Sequence, residues 1–342
     1  MKNFFSVLLF FSFLKCQVVY GQDLTIDKTK FFTDTSIINA TITTNLTHVF
    51  RKKEATQYPA NFSATLPGGS LVNDPVLLEI RGHFRKDFCY MPPLKVIFKS
   101  KKTSVMKPLG SLKLVSQCKL SAADEQYLLK EFLVYKIYNL LTDMSFRVRL
   151  LNLNLVDSAN KKKPITEYAF LLEDIKDLAE RNNCLDMKSG KVNTEATNRR
   201  QMTIVAVFEY MIGNTDWAVP VNHNIRLIIP TTDSLHRPYA VPYDFDYSGF
   251  VNTDYAIPDE KLNIPNVRER LYRGFPRTMT ELNDVLDIFK KQKSNIYALI
   301  NNFDLLNSRT KKDLFEYLDE FFDLIRNPTQ INNIFIQEAR TE

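Results

Sequence analysis

The sequence predicts an α+β protein, sheet-rich in its first part and helix-rich in its second. Three observations predict it. Residues 76–120 hold short β-branched or alternating runs, each bounded by Gly, Pro or charge. A long segment after Ser121 repeats Leu128, Leu129, Phe132, Leu133, Tyr135, Ile137, Tyr138 and Leu141 on one helical face. From Asn198 onward most segments carry the helical period again. At 342 residues, 44% hydrophobic and 25% charged, the chain suits one large domain or two lobes and lacks a disordered composition.

Residues 1–21 read as a signal peptide. Lys2 precedes an apolar run, Phe4 to Leu14, and the stretch ends Val19-Tyr20-Gly21. Cleavage near Gly21 would leave an exported protein, periplasmic or extracellular. The run is shorter than the ~20 apolar residues of a membrane span, and no integral membrane segment is expected. Removing the leader leaves Cys89, Cys118 and Cys184. Cys89 and Cys118 end neighbouring strand-like segments and can pair, and export favours a disulfide. The net charge of +6 is spread along the chain. It fits solubility first and an acidic substrate such as a nucleotide second, and no nucleic-acid partner is expected.

Residues 22–75 read as an N-terminal extension of short strands and loops, at a mobile edge. Residues 76–173 read as a sheet-rich lobe with one long helix. Its strands are an antiparallel meander at 76–82, 93–98 and 112–115, then 147–156 and 166–173 joined by the turn Lys161-Lys162-Lys163. Ser121 suits the N-cap of its helix, with Asp124 and Glu125 in the first turn. Residues 174–342 read as a helix-rich lobe. It has helices at 174–183, from 198 to 212, at about 280–300 and at 309–326, with 185–197 and 250–278 as loops.

Gly213 to Gly249 concentrates the chemistry. It contains Gly213-Asn214-Thr215-Asp216-Trp217, then Asn222-His223-Asn224, and Pro242-Tyr243-Asp244-Phe245-Asp246-Tyr247-Ser248-Gly249. Gly213 suits a helix C-cap that launches the loop carrying Asp216. Mg²⁺ and Mn²⁺ want oxygen ligands, usually one or two carboxylates completed by phosphate oxygens and water. Asn224 and Asp244 or Asp246 can supply these, the two aspartates sharing one face if the segment is a strand. Asp216 can then act as a base that orients a hydroxyl, the three roles that phosphoryl transfer needs. Trp217 and His223 are read as packing residues.

These motifs resemble the CotH family, the spore-coat-protein-H-like atypical protein kinases. The resemblance covers roughly residues 76–250. Ile80-Arg81-Gly82-His83 resembles the family's R-G-N-S element, and Pro93 to Phe98 its K-x-Y-(R/K)-(I/L)-K-F strand. Glu125 to Asn139 is similar to its A-Y-K-L-Y-N helix, and Tyr168 to Glu173 to its Y-x-L-x-E strand. Asn214 to Trp217 with Asn224, and Pro242 to Asp246, resemble the catalytic-loop and metal elements. The resemblance implies a two-lobed kinase-like fold and transfer of phosphate from ATP to serine or threonine of a protein. It makes Asp216 the catalytic aspartate. Asn224, with Asn222 as the alternative, and Asp244 or Asp246 become ligands of Mg²⁺ or Mn²⁺. Arg81 and Lys95 become phosphate contacts, Glu131 the ion-pair partner of a lysine, and Glu173 a nucleotide-side residue.

The chain departs from the family in three places. R-G-H-F replaces R-G-N-S, Lys161-Lys162-Lys163-Pro164 replaces a glycine-bearing turn, and Asp216 stands farther from Asn224 than in many kinase-like loops. ATP is also scarce outside the cytoplasm, so an exported enzyme would act before or during export or use another donor. Two alternatives accompany this reading: a non-catalytic secreted binding or structural protein, and a carboxylate-dependent hydrolase of glycans or phosphoesters.

Overall fold

The computed structural model describes residues 25–340 except 53–55, 83–87, 99–103, 189 and 233–236. The expected leader and His83 lie outside the described residues. Seven strands form the first layer: β1 (Ile38–Thr44), β2 (Gln57–Thr65), β3 (Leu71–Ile80), β4 (Leu94–Ile97), β5 (Ser111–Ser116), β6 (Val148–Asp157) and β7 (Ile165–Leu172). Their alternation is the reason they form a sheet with one wet face. In β3, Val72, Val76, Leu78 and Ile80 point inward between more exposed neighbours.

This sheet has no free edge. The strand order is β1-β2-β3-β4-β5-β7-β6, and β6 returns to pair in parallel with β1, Ile38 lying opposite Leu151. The result is a closed barrel filled by Ile42, Phe62, Val96, Leu114, Leu153 and Leu171, among others. The expected two-lobed kinase-like fold, with an open sheet in its first lobe, is therefore corrected. The meander from β3 to β5 is antiparallel as expected. However, β1 and β2 supply two staves, and the β1–β6 pairing closes the sheet.

The helical layer packs on one side of the barrel. Helices α1 (Lys28–Thr33) and α2 (Leu46–Lys52) precede it, and α3 (Ala122–Leu141) follows β5. Ser121 caps α3 by accepting a hydrogen bond from the Asp124 amide. The inward face of α3, with Leu129, Leu133 and Ile137, joins Phe170 of β7 in a second core. That core also holds α4 (Ile175–Arg181), α5 (Arg199–Ile212), α6 (Met279–Asn301), α7 (Ser308–Leu324) and α8 (Pro328–Asn332). A three-stranded sheet, β10-β9-β8, sits among them, built from β8 (Cys184–Asp186), β9 (Ile225–Pro230) and β10 (Tyr239–Pro242). Helix α5 is apolar nearly all round, as a helix surrounded by protein must be.

Cys89 and Cys118 form a disulfide, and Cys184 is a buried thiol. The Tyr90 amide donates to the Cys118 carbonyl at 2.9 Å, so the bridge fastens the segment before β4 to the end of β5. Among the described residues, no helix is long and apolar enough to cross a membrane.

Candidate functional site

The Gly213–Gly249 stretch is pinned at both ends. Gly213 is the left-handed C-cap of α5, with φ 65°. A Cβ there would stand 2.1 Å from the Tyr317 hydroxyl, so only glycine fits. The Gly249 amide donates to the Gly213 carbonyl at 3.0 Å, and the Phe250 amide to Ile212 at 2.9 Å. The chain thus leaves α5 and returns to the same point. Between the two glycines it threads Asp216, the β9–β10 hairpin and Asp244 past one another.

Asp216 sits at the start of this path. Its amide donates to Asn214 Oδ1 at 3.0 Å, a local turn that aims the carboxylate outward. Asn224 Nδ2 donates to the Asp216 carbonyl at 2.8 Å and to Asp216 Oδ2 at 3.0 Å. His223 Nε2 lies 2.7 Å from Asp216 Oδ1. The Asp216 side chain keeps 39% of its surface open to solvent. Arg273 braces the loop from behind, donating to the Thr215 carbonyl and, at 2.9 Å, to that of Trp217.

Asn224 and Asp244 meet at one end of the hairpin. Ile225 pairs with Pro242, and the Tyr243 amide donates to the Asn224 carbonyl at 3.0 Å. Asn222, Asn224 and Asp244 all have positive φ, at 52°, 50° and 69°. Asn and Asp tolerate this region best among residues with a Cβ, and such backbone gathers at functional sites. Strand β10 ends at Pro242, so the strand rule that placed Asp244 and Asp246 on one face does not apply. The Asp244 amide donates to the hydroxyl of Tyr135 on α3 at 2.9 Å, which sets the turn.

A basic cluster faces Asp244. Lys113 on β5 is half-buried, and that burial pushes its ammonium down to about 8. Arg81 adds repulsion, with smaller contributions from Arg226 and Lys95, while Asp244 pulls the other way. Lys95 stands opposite Lys113 in the β4–β5 register and opposite Glu79 across β3. Arg81 Nε donates to the Leu94 carbonyl at 3.3 Å, and Arg226 pairs with Asp186 at 2.8 Å. Lys113 also lies 4.2 Å from the Tyr243 ring centroid. Lys113 thus feels three other cations and one carboxylate, a basic patch that can attract a polyanion.

The remaining expected residues divide. Asp246 is nearly buried, accepts from the Tyr255 hydroxyl at 2.9 Å, and lines a small void of about 10 Å³ with Glu131. Burial raises the Tyr247 phenol, with added repulsion from Asp246, Asp216 and Asp244. Glu131 and Asp244 likewise both act on buried Tyr135. Glu173 stands apart. Arg181 grips its carboxylate through two nitrogens at 2.9 and 3.0 Å, and the Arg147 amide donates to it at 2.9 Å. The arrangement therefore brings Asp216, Asn224 and Asp244 together, sets Arg81 and Lys95 beside Lys113, groups Asp246 with Glu131 at a separate small void, and leaves Glu173 in a structural ion pair.

The donor set suits Mg²⁺ or Mn²⁺ held with phosphate. Both Asn224 amide hydrogen bonds use Nδ2, which leaves Oδ1 as an available acceptor. The Asp244 carboxylate accepts no hydrogen bond from any described residue. Hard oxygens of this kind match these ions. No group of three or more His, Cys, Asp or Glu gathers among the described residues, so substrate oxygens would have to complete the shell.

Sequence reasoning passed over Lys113, Arg226, His223 and Tyr135 as functional residues. Lys113 was visible only as a charge inside an apolar run, Leu112-Lys113-Leu114. Behind the loop, Glu209 on α5 is fully buried, and burial lifts its carboxyl to about 8. The nearby Asn214 amide works against this rise, and Asp216 adds to it. The folded state therefore holds a proton that the unfolded chain releases above about 4.5. Stability should fall as pH rises from about 4.5 to about 8. Glu209→Gln should raise the melting temperature at pH 8.5 and leave it little changed at pH 5, as read by calorimetry. No family model matches the chain, and no curated protein matches it.

Proposed function

We propose that this chain is an exported phosphotransferase that moves a phosphoryl group from a nucleotide, ATP in the simplest case, to a serine or threonine of another protein. The observation that carries the reading is the Asp216–Asn224 pair set beside Asp244 and a cluster of four cations. The reading rests on these residues, their order in the chain and their likeness to CotH-type motifs, and not on a shared fold. The Cys89–Cys118 disulfide supports an oxidising compartment, as export would provide.

Arg81, Lys95, Lys113 and Arg226 would hold the phosphates. Asn224 Oδ1, Asp244 and, from behind, Asp246 would hold Mg²⁺ or Mn²⁺, which supplies charge neutralisation at the phosphates. Asp216 would take the proton of the accepting hydroxyl. That oxygen then bonds to the terminal phosphorus as the bridging P–O bond breaks, and the nucleoside diphosphate leaves with the electron pair. Asn224 keeps the Asp216 carboxylate oriented through its amide.

Purified protein with Mn²⁺ or Mg²⁺ and terminally labelled ATP should pass label to itself or to a Ser-rich protein. No transfer together with no nucleotide-induced rise in melting temperature would overturn the proposal. Lys113→Met should weaken nucleotide binding about 10–100-fold, the range for a charge-assisted contact. The sign of its pH dependence follows from its depressed value. Lys113 is charged below about 8 and neutral above it, so affinity should fall as pH rises through about 8. Titration calorimetry in buffers of different ionisation enthalpy should show proton uptake on binding near pH 8.5, absent in Lys113→Met.

The Asp216–His223 contact favours one second reading, hydrolysis of a phosphoester by a water that this pair orients. Release of inorganic phosphate without transfer to any protein would select it.

A further inference from the structure

We propose that the cavity next to Asp216 seats the accepting peptide and selects an apolar side chain beside the accepting hydroxyl. This rests on the phosphotransferase reading above. The cavity measures about 360 Å³, at the lower end of the ~300–1,000 Å³ range of ligand sites. Asp216 and His223 form one side of it. None of Arg81, Lys95, Lys113 and Arg226 lines it, so it lies outside the cation cluster that fits phosphate. The accepting hydroxyl has to reach Asp216, and this cavity opens onto that carboxylate.

Its walls indicate what accompanies the hydroxyl. Val221 and Ile257 line it and are 68% and 75% exposed, unusual for large apolar side chains. Leu262 and Pro258 extend the same surface. The back wall is Trp217, which is buried and held by Arg273 through the carbonyl contacts and by its guanidinium 5.6 Å from the ring. A wall fixed in this way is preorganised, so docking spends little ordering entropy on it. Asp216 and Asp259 also line the cavity, as does Arg273, whose guanidinium is taken up by the Thr215 and Trp217 carbonyls. An acidic residue next to the acceptor would meet repulsion there, whereas a leucine or isoleucine would bury its own surface and that of Val221 and Ile257. The occupant is therefore a segment of substrate protein with a serine or threonine flanked by an apolar residue and free of nearby acids.

The test uses two peptides that differ only in the residue after the accepting serine, Leu or Glu, with Mn²⁺ and ATP. The parent protein should prefer the Leu peptide by about tenfold or more in kcat/KM. Ile257→Asp and Val221→Asp should each raise KM for the Leu peptide about tenfold while leaving KM for ATP unchanged. Both side chains are exposed, so the variants should fold, and circular dichroism checks this. Transfer with no Leu preference and unchanged peptide KM in both variants overturns this inference alone. Absence of transfer from the parent protein to any peptide overturns the phosphotransferase reading and this inference with it.

Discussion

Asp216→Asn is expected to lower phosphoryl transfer about 100- to 10,000-fold, the contribution of a positioned base. Asparagine has the same shape, and Asp216 is partly exposed, so the loop should survive the change. The Asn214 and Asn224 contacts to the Asp216 backbone at 3.0 and 2.8 Å do not depend on the carboxylate. The loss should therefore appear in kcat, with little change in KM for ATP. Label transfer at saturating nucleotide measures it. A variant that retains more than a tenth of parental kcat would remove Asp216 from the base role. His223→Ala serves as the companion. A small effect on transfer marks His223 as a neighbour of the base, and a loss as large as that of Asp216→Asn makes His223 a working partner of it.

Phe245→Ala should cost about 3–5 kcal/mol of stability, the usual penalty for emptying a fully buried aromatic site. Phe245 has no exposed surface. Its ring centroid lies 4.7 Å from that of Tyr135 and 5.6 Å from that of Phe208, both in edge-on contact. It also separates Asp244 from Asp246 in the chain. Tyr135 in turn holds the Asp244 amide, so a cavity at Phe245 should loosen the Asp244 turn as well as the core. Chemical denaturation should show the lower midpoint, and nucleotide affinity should fall along with it. A loss under about 1 kcal/mol would mean that the ring is not the keystone of this contact.

The strands were legible because alternation is a local signal, and β3, β5, β6 and β7 lie where their inward residues put them. Helix α3 was legible for the same reason, together with its Ser121 cap. Barrel closure was not. The same alternation of Ile38, Ala40 and Ile42 serves an open or a closed sheet, and only the partner of β1 distinguishes them. The candidate site was legible as a list of residue types in order. Its electrostatics were not, since strand register sets Lys113 opposite Lys95 and the hairpin sets Arg226 opposite Val241, three residues before Asp244. The strand rule also failed at Asp244, whose left-handed backbone follows from the Tyr135 contact and the turn after Pro242. The motif resemblance implied the wrong architecture, because a short motif records a local arrangement of groups and says little about how distant strands pair.

The parallel seam between β1 and β6 also governs the order in which this chain can assemble. Residues 38–44 emerge early in synthesis, yet their second partner, 148–157, follows only after four further strands and α3. Until then β1 and β2 can pair as a hairpin with one open flank. Joining segments so far apart costs loop entropy before any seam contact repays it, which places this step among the slow, non-local events of folding. The last stave to be made, β7, locks to both β5 and β6 and completes the ring from the other side. The chain therefore spends its longest vulnerable interval with the β1 flank uncovered, and a partner that shields that flank would do most to protect it.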